Sequence, residues 1–118
     1  MIRGNKVNKL LTLVIITILL LITNFSLPAI AADTTSGAQI FSVHCAGCHI
    51  NGGNIVRRGK TLQKKALKKY GMDSLEAITS IVTNGKSNMS AYKDRLNEQQ
   101  IQDVATYVLE QAETGWRS

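Results

Sequence analysis

Hydrophobic positions along this 118-residue chain fall into two regimes. From Leu10 to Ile22 they run almost without interruption, 13 residues with no charge. After residue 32 they recur at helical spacing among polar residues, which predicts separate amphipathic helices. Thr34 to Ala46 reads as a first helix, with Thr35 or Ser36 as cap and Ala38, Ile40, Phe41 and Val43 on its apolar side. Asn51-Gly52-Gly53-Asn54 reads as a loop, whose paired glycines let backbone approach a flat ligand. Thr61 to Tyr70 reads as a second helix, stopped by Gly71. Asp73 opens a third, with Glu76 in the capping-box position, Leu75, Ile78, Ile81 and Val82 on one side, and an end near Gly85. Asn97, with Gln100 three residues on, opens a fourth that carries Ile101, Val104, Ala105, Val108, Leu109 and Ala112. No strand pair, repeat or low-complexity segment interrupts this pattern, so the expected class is all-α.

The continuous run has a different meaning. Arg3, Lys6 and Lys9 precede it, and Pro28-Ala29-Ile30-Ala31 follows with a small-x-small ending. This is the layout of a secretory signal peptide, with cleavage after Ala31 or Ala32. The apolar run is short for an uncleaved anchor, which needs about 20 residues. The expected organisation is a signal peptide over 1–31 and one small domain over 32–118. Charge changes with it. The whole chain has 14 basic and 8 acidic residues, a net +6. Removing Arg3, Lys6 and Lys9 takes the basic count from 14 to 11, a net +3. A domain of this size buries a thin core, and a large apolar cofactor would supply what is missing.

Cys45-Ala46-Gly47-Cys48-His49 names such a cofactor. Cys-x-x-Cys-His is the attachment signature of c-type haem. Two thiols on one helical turn add across the two haem vinyl groups, and the next residue points an imidazole at the iron. Other readings exist. A thioredoxin-like pair needs a βαβ setting, and no strand-like run lies nearby. Structural zinc needs four ligands, and the only soft ligands near the motif, His44, Cys45, Cys48 and His49, crowd into six residues. A plain disulfide, or a haem-free thiol oxidoreductase, stays open as an alternative in an oxidising compartment.

Haem iron has a second axial position. His44 shares a turn with Cys45 and cannot reach the opposite face, so it is expected on a solvated helix surface. Met72 lies just before a helix start, with an expected packing role. Met89 lies in an irregular segment 40 residues after His49, enough chain to wrap the ring edge, and is the favoured ligand on spacing, with Met72 held in reserve. A His/Met pair leaves no open site on iron and favours the ferrous state, which argues for a carrier rather than an enzyme.

Taken together, Ala38-Gln39-Ile40-Phe41, Cys45 to His49, Gly52-Gly53-Asn54, Lys60-Thr61-Leu62, Asp73 to Ile78, Val82-Thr83-Asn84-Gly85-Lys86, Met89, Arg95-Leu96 and Asp103 to Val108 resemble the cytochrome c6 family over nearly all of 32–116. The resemblance implies a small class I cytochrome c fold, about four helices around one covalently attached haem c. It implies a monomeric electron carrier of the thylakoid lumen or periplasm, running between the cytochrome b6f complex and photosystem I or a terminal oxidase. It gives Cys45 and Cys48 the thioether positions, His49 and Met89 the axial positions, and Arg95 a role in docking. Three places depart from it. Ser90 stands for the usual proline, Tyr92-Lys93-Asp94 for Phe-Gly-Gly, and Ile81 for a glutamine near the haem. The resemblance links an aliphatic residue at that last place to divergent branches of lower potential and a different redox partner or a redox-sensing role. Dielectric reasoning points the other way, since an apolar neighbour disfavours the extra charge of ferric haem.

Arg57, Arg58, Lys60, Lys64, Lys65, Lys68 and Lys69 fall within 13 residues that contain no acid. Lys60, Lys64 and Lys68 are expected on one helical face. The plain reading is a solvated face. The functional one is a docking patch, centred on Lys64 and Lys68, for an acidic redox partner. Nucleic acid is an unsuitable partner for an exported chain without interleaved aromatics.

Overall fold

The computed structural model describes residues 2–22 and 32–117. The chain falls into two units, Met1–Ala31 and Ala32–Ser118. In the first, α1 (Ile2–Ile22) is one helix, long and apolar enough by length and composition to cross a membrane, as a signal sequence also is. It extends well beyond the uncharged run, because Lys6 and Lys9 are good helix formers. The expected cleavage site at Pro28–Ala31 lies outside the described residues.

The second unit is helical, with no strand among the described residues and one isolated antiparallel bridge between Lys86 and Met89. Its elements are α2 (Thr34–His44), the single turn α3 (Ala46–His49), a 3-10 turn (Ile50–Gly52), α4 (Lys64–Lys69), α5 (Leu75–Asn84) and α6 (Glu98–Thr114). The long α6 is the platform on which α2, α4, α5 and the 3-10 turn all pack. It begins at the capping box read from sequence: the Asn97 side chain accepts from Gln100 N–H at 2.8 Å, and the Gln100 side chain accepts from Asn97 N–H at 2.9 Å. It ends at Gly115, which takes the left-handed conformation at φ 70°.

Ile40, Phe41, Ile78, Val82, Leu96, Ile101, Val104, Ala105 and Val108 form the core. Val104 and Ala105 are essentially sealed from solvent. At Gly37 the α2 and α6 backbones meet so closely that a Cβ would stand 2.8 Å from Tyr107 Cβ and overlap the Asp103 carbonyl. The α2–α6 crossing therefore depends on a missing side chain.

Four sequence expectations are revised. The cap of α2 is Asp33, whose carboxylate accepts from Thr35 and Ser36 N–H groups. The cap of α5 is Ser74, accepting from Ala77 N–H, rather than Asp73. Val43 is 77% exposed, because two residues past Phe41 is about 200° around a helix. Finally, α4 starts at Lys64, not Thr61. The Leu62 backbone is drawn off by tertiary bonds, its N–H to the Gly52 carbonyl at 2.7 Å and its carbonyl to Trp116 Nε1 at 2.9 Å. Lys60 consequently sits in a bend outside the helix and does not share its face with Lys64 and Lys68.

Candidate functional site

Cys45 is the hinge of the site. It closes α2, donating its N–H to the Phe41 carbonyl, and it opens α3, its carbonyl accepting from both Cys48 N–H (3.2 Å) and His49 N–H (2.9 Å). That single turn holds both thiols and the imidazole. Cys45 is half-buried and Cys48 exposed, and both are free thiols. Burial pushes the Cys45 thiol up to about 11. A thiol-disulfide catalyst needs the opposite, a thiol with a lowered value.

His49 is held in one tautomer. Its Nδ1 lies 2.8 Å from the Gly53 carbonyl oxygen. A carbonyl only accepts, so Nδ1 carries the proton and the Nε2 lone pair is free to ligate. The chain reaches Gly53 through Asn51, at φ 51°, and Gly52, at φ 74°. Trp116 covers Gly52 so tightly that a Cβ there would come within 2.5 Å of the indole ring. The loop beyond is fixed by Asn54, which accepts from Val56 and Arg57 N–H groups and donates to the Lys60 carbonyl.

Met89 is on the segment between α5 and α6. Its N–H and carbonyl both pair with Lys86, each at 3.0 Å, around a tight turn in which Ser87 is left-handed. Its half-buried side chain packs against the core, as do Cys45, Ala46, Ile81 and Tyr92. Met72 is also half-buried but lies outside that cluster. His44, expected on a solvated surface, is half-buried with its ring edge-on to Tyr92 at 5.8 Å.

Among the described residues no three His, Cys, Asp or Glu side chains converge as a metal cluster, so the soft residues around Cys45 do not make a zinc site. The donor set fits a haem instead: two thiols on one turn, an imidazole with Nε2 free, a thioether, and an apolar skin. Val43, Ile50, Ile55 and Val56, on either side of the motif, are 77%, 60%, 63% and 55% exposed, against 43% and 37% for Tyr70 and Leu75 farther along the unit.

The expected docking residues are not equivalent. Arg95 is exposed, with its guanidinium 4.6 Å from the centre of the Tyr92 ring. Lys64 forms an ion pair with Glu113 at 2.8 Å. Lys68 is exposed and carries no such partner among the described residues. Lys60 and Lys69 both lie over the Tyr70 ring. The Tyr92 hydroxyl was not singled out by sequence reasoning. It donates to the His44 carbonyl at 2.9 Å, and nothing local to Tyr92 signals a partner 48 residues away.

Comparison with known proteins places this geometry. Residues 32–108 match the family model described as cytochrome c oxidase, cbb3-type, subunit III. A cytochrome c6-like protein of Nostoc sp. strain PCC 7120 is 74% identical over 109 residues, 92% of this chain and 98% of that protein. Cytochrome c6 of the same Nostoc is 52% identical over 109 residues, again 92% of this chain and 98% of that one. The crystal structure of cytochrome c6C from Synechococcus sp. PCC 7002 superposes with a TM-score of 0.65 at 62% identity, covering 67% of this chain and 96% of that one. The chain thus belongs to the c-type cytochrome domains that the oxidase-subunit model describes and, among them, to the cytochrome c6 family of electron carriers, all-α proteins with one covalently bound haem c.

Proposed function

We propose that Cys45 and Cys48 provide the two thioether links of the haem, and that His49 Nε2 and the Met89 sulfur are its axial ligands. The observation that carries this reading is the His49 Nδ1–H bond to the Gly53 carbonyl at 2.8 Å, which orients the ring and makes Nε2 the better donor. When bound, the haem supplies an iron that gains and loses one electron. The residues around it confine the chemistry to that step. With a side chain on each axial face, no position remains for oxygen or substrate, so the protein is a carrier and not an enzyme. Trp116 and the core hold Gly52 and the motif in place, and the ring edge near Cys45–Gly53 and Met89–Tyr92 is where electrons pass.

In the same reading, residues 1–31 are a signal peptide removed on export to the thylakoid lumen or periplasm, and the mature chain works as a soluble monomer. It takes electrons from the cytochrome b6f complex and delivers them to photosystem I or a terminal oxidase, docking through Arg95 and the basic surface around Lys64 and Lys68. An absorption spectrum of the purified protein tests the core of this: thioether-bound haem with a sulfur-to-iron charge-transfer band is expected, and Met89→Ala should abolish the band. Survival of the band would transfer the role to Met72.

One observation favours a second reading. Over the same length of chain, similarity to the c6-like protein exceeds similarity to the c6 protein of one organism by 74% to 52%. With Ile81 half-buried against the same core as Met89, at the place where the family resemblance ties an aliphatic residue to the divergent branches, this supports a c6-like cytochrome of lower potential serving a different redox partner or a sensing role. Potentiometric titration beside a cytochrome c6 standard decides it; equal potentials would remove the second reading.

A further inference from the structure

The Met89 segment is tied to its own stem at several points. Lys86 and Met89 pair reciprocally, Tyr92 N–H donates to the Val82 carbonyl at 2.9 Å, and Lys93 N–H donates to the Thr83 carbonyl at 3.3 Å. Its backbone folds directly onto Gly85, where a Cβ would lie 2.6 Å from the Met89 carbonyl oxygen. The bonds from Tyr92 and Lys93 lead back to α5, and the Lys86–Met89 pair closes within the segment itself. To the segment that carries Cys45, Cys48 and His49, a single hydrogen bond crosses among the described residues: Tyr92 O–H to the His44 carbonyl, 2.9 Å. The acceptor has a reason to want it. His44 is the last residue of α2 and the helix breaks at Cys45; carbonyls of a last helical turn lack intrahelical partners and need others. The Tyr92 ring is held on two further sides, edge-on by His44 at 5.8 Å and by the Arg95 guanidinium at 4.6 Å.

From this geometry we infer that Tyr92 is a positioning residue: its hydroxyl latches the Met89 segment onto the end of α2, one residue before Cys45, and so limits how far the Met89 sulfur swings away from the iron. The inference rests on Met89 as the axial ligand. A latch between the two halves of the site shifts the balance between closed and open states by no more than its own net strength, and one hydrogen bond to a carbonyl supports roughly a twofold to tenfold change.

Imidazole is the probe, titrated into haem-loaded ferric protein, because it enters only where Met89 has left. Tyr92→Phe keeps the ring and removes the latch, and should raise apparent imidazole affinity roughly twofold to tenfold. Lys93→Gln changes an exposed charge beside Tyr92 but keeps the hydroxyl, and should bind imidazole as the parent does; a rise equal to that of Tyr92→Phe would overturn the latch. Met89→Ala separates the two levels of the argument. If it retains the sulfur-to-iron band, Met89 is not the ligand and the latch falls with it. If it loses the band while Tyr92→Phe binds imidazole like the parent, Met89 stands and the latch alone is overturned. A Tyr92→Phe protein that merely melts earlier, with unchanged imidazole affinity, would likewise overturn the latch.

Discussion

At the scale of single residues, the site depends on backbone atoms as much as on side chains. His49 is useful as a ligand only with its proton on Nδ1, and the group that keeps it there is the main-chain oxygen of Gly53. Glycine enters again at Gly37, where α2 and α6 touch. Adding one methyl there meets backbone and Cβ atoms that no rotamer change can clear. Gly37→Ala should therefore destabilise the haem-loaded protein by about 1–3 kcal/mol, read as a lower denaturant midpoint. An unchanged midpoint would mean that the helices can slide apart without cost. The residues proposed to hold the haem, Cys45, Cys48, His49 and Met89, stand out in the sequence because their types and spacing are themselves the signal. The groups that orient them do not, since a carbonyl belongs to every residue and Tyr92 looks like an ordinary aromatic.

At the scale of elements, local signals were legible and tertiary ones were not. Asn97 and Gln100 form the capping box that their spacing predicts, because both bonds close within one turn. Asn97→Ala should cost about 1 kcal/mol, seen as a shifted denaturation midpoint with an unchanged slope; no shift would show that packing alone fixes where α6 begins. α4 starts later than its local pattern predicts because Gly52 and Trp116 claim Leu62 from far along the chain. The α2 cap lies two or three residues before the Thr35 or Ser36 that the local sequence suggests, because Asp33 is anchored by α6. Asp33 N–H donates to the buried Asp103 carboxylate at 2.9 Å, which Gln99 also supplies at 2.8 Å. Burial alone would raise the Asp103 value, but the bonds from Asp33, Gln99 and Ser36 together outweigh it and leave the carboxyl below its ordinary 3.8. The group's folded value is depressed, so its contribution is fully present above the ordinary value and is lost as pH falls through the lowered one. Stability of the parent should thus decline below about pH 4. Asp103→Asn should be less stable at neutral pH and flatter over that acid range. An equally steep acid decline in Asp103→Asn would assign the effect to other carboxylates.

At the scale of the whole molecule, charge is unevenly spread. The stretch from Arg57 to Lys69 carries seven basic residues and no acid, but the ion pair with Glu113 cancels much of the field from Lys64. If this surface steers an acidic partner, the electron-transfer rate should fall as ionic strength rises. Lys68→Gln should slow it more than Lys64→Gln, and Glu113→Gln should speed it at low salt by freeing Lys64. A rate indifferent to salt would leave the patch as a solvated face. Trp116 follows every other core residue in sequence, yet it roofs Gly52, stacks 5.1 Å from Phe41 and holds Leu62. As the chain emerges from its amino end, the turn after His49 has no roof until the last helix has been made. Until then the segment that carries Cys45 and Cys48 lies unroofed, the interval in which, on the function proposed above, their coupling to haem would take place.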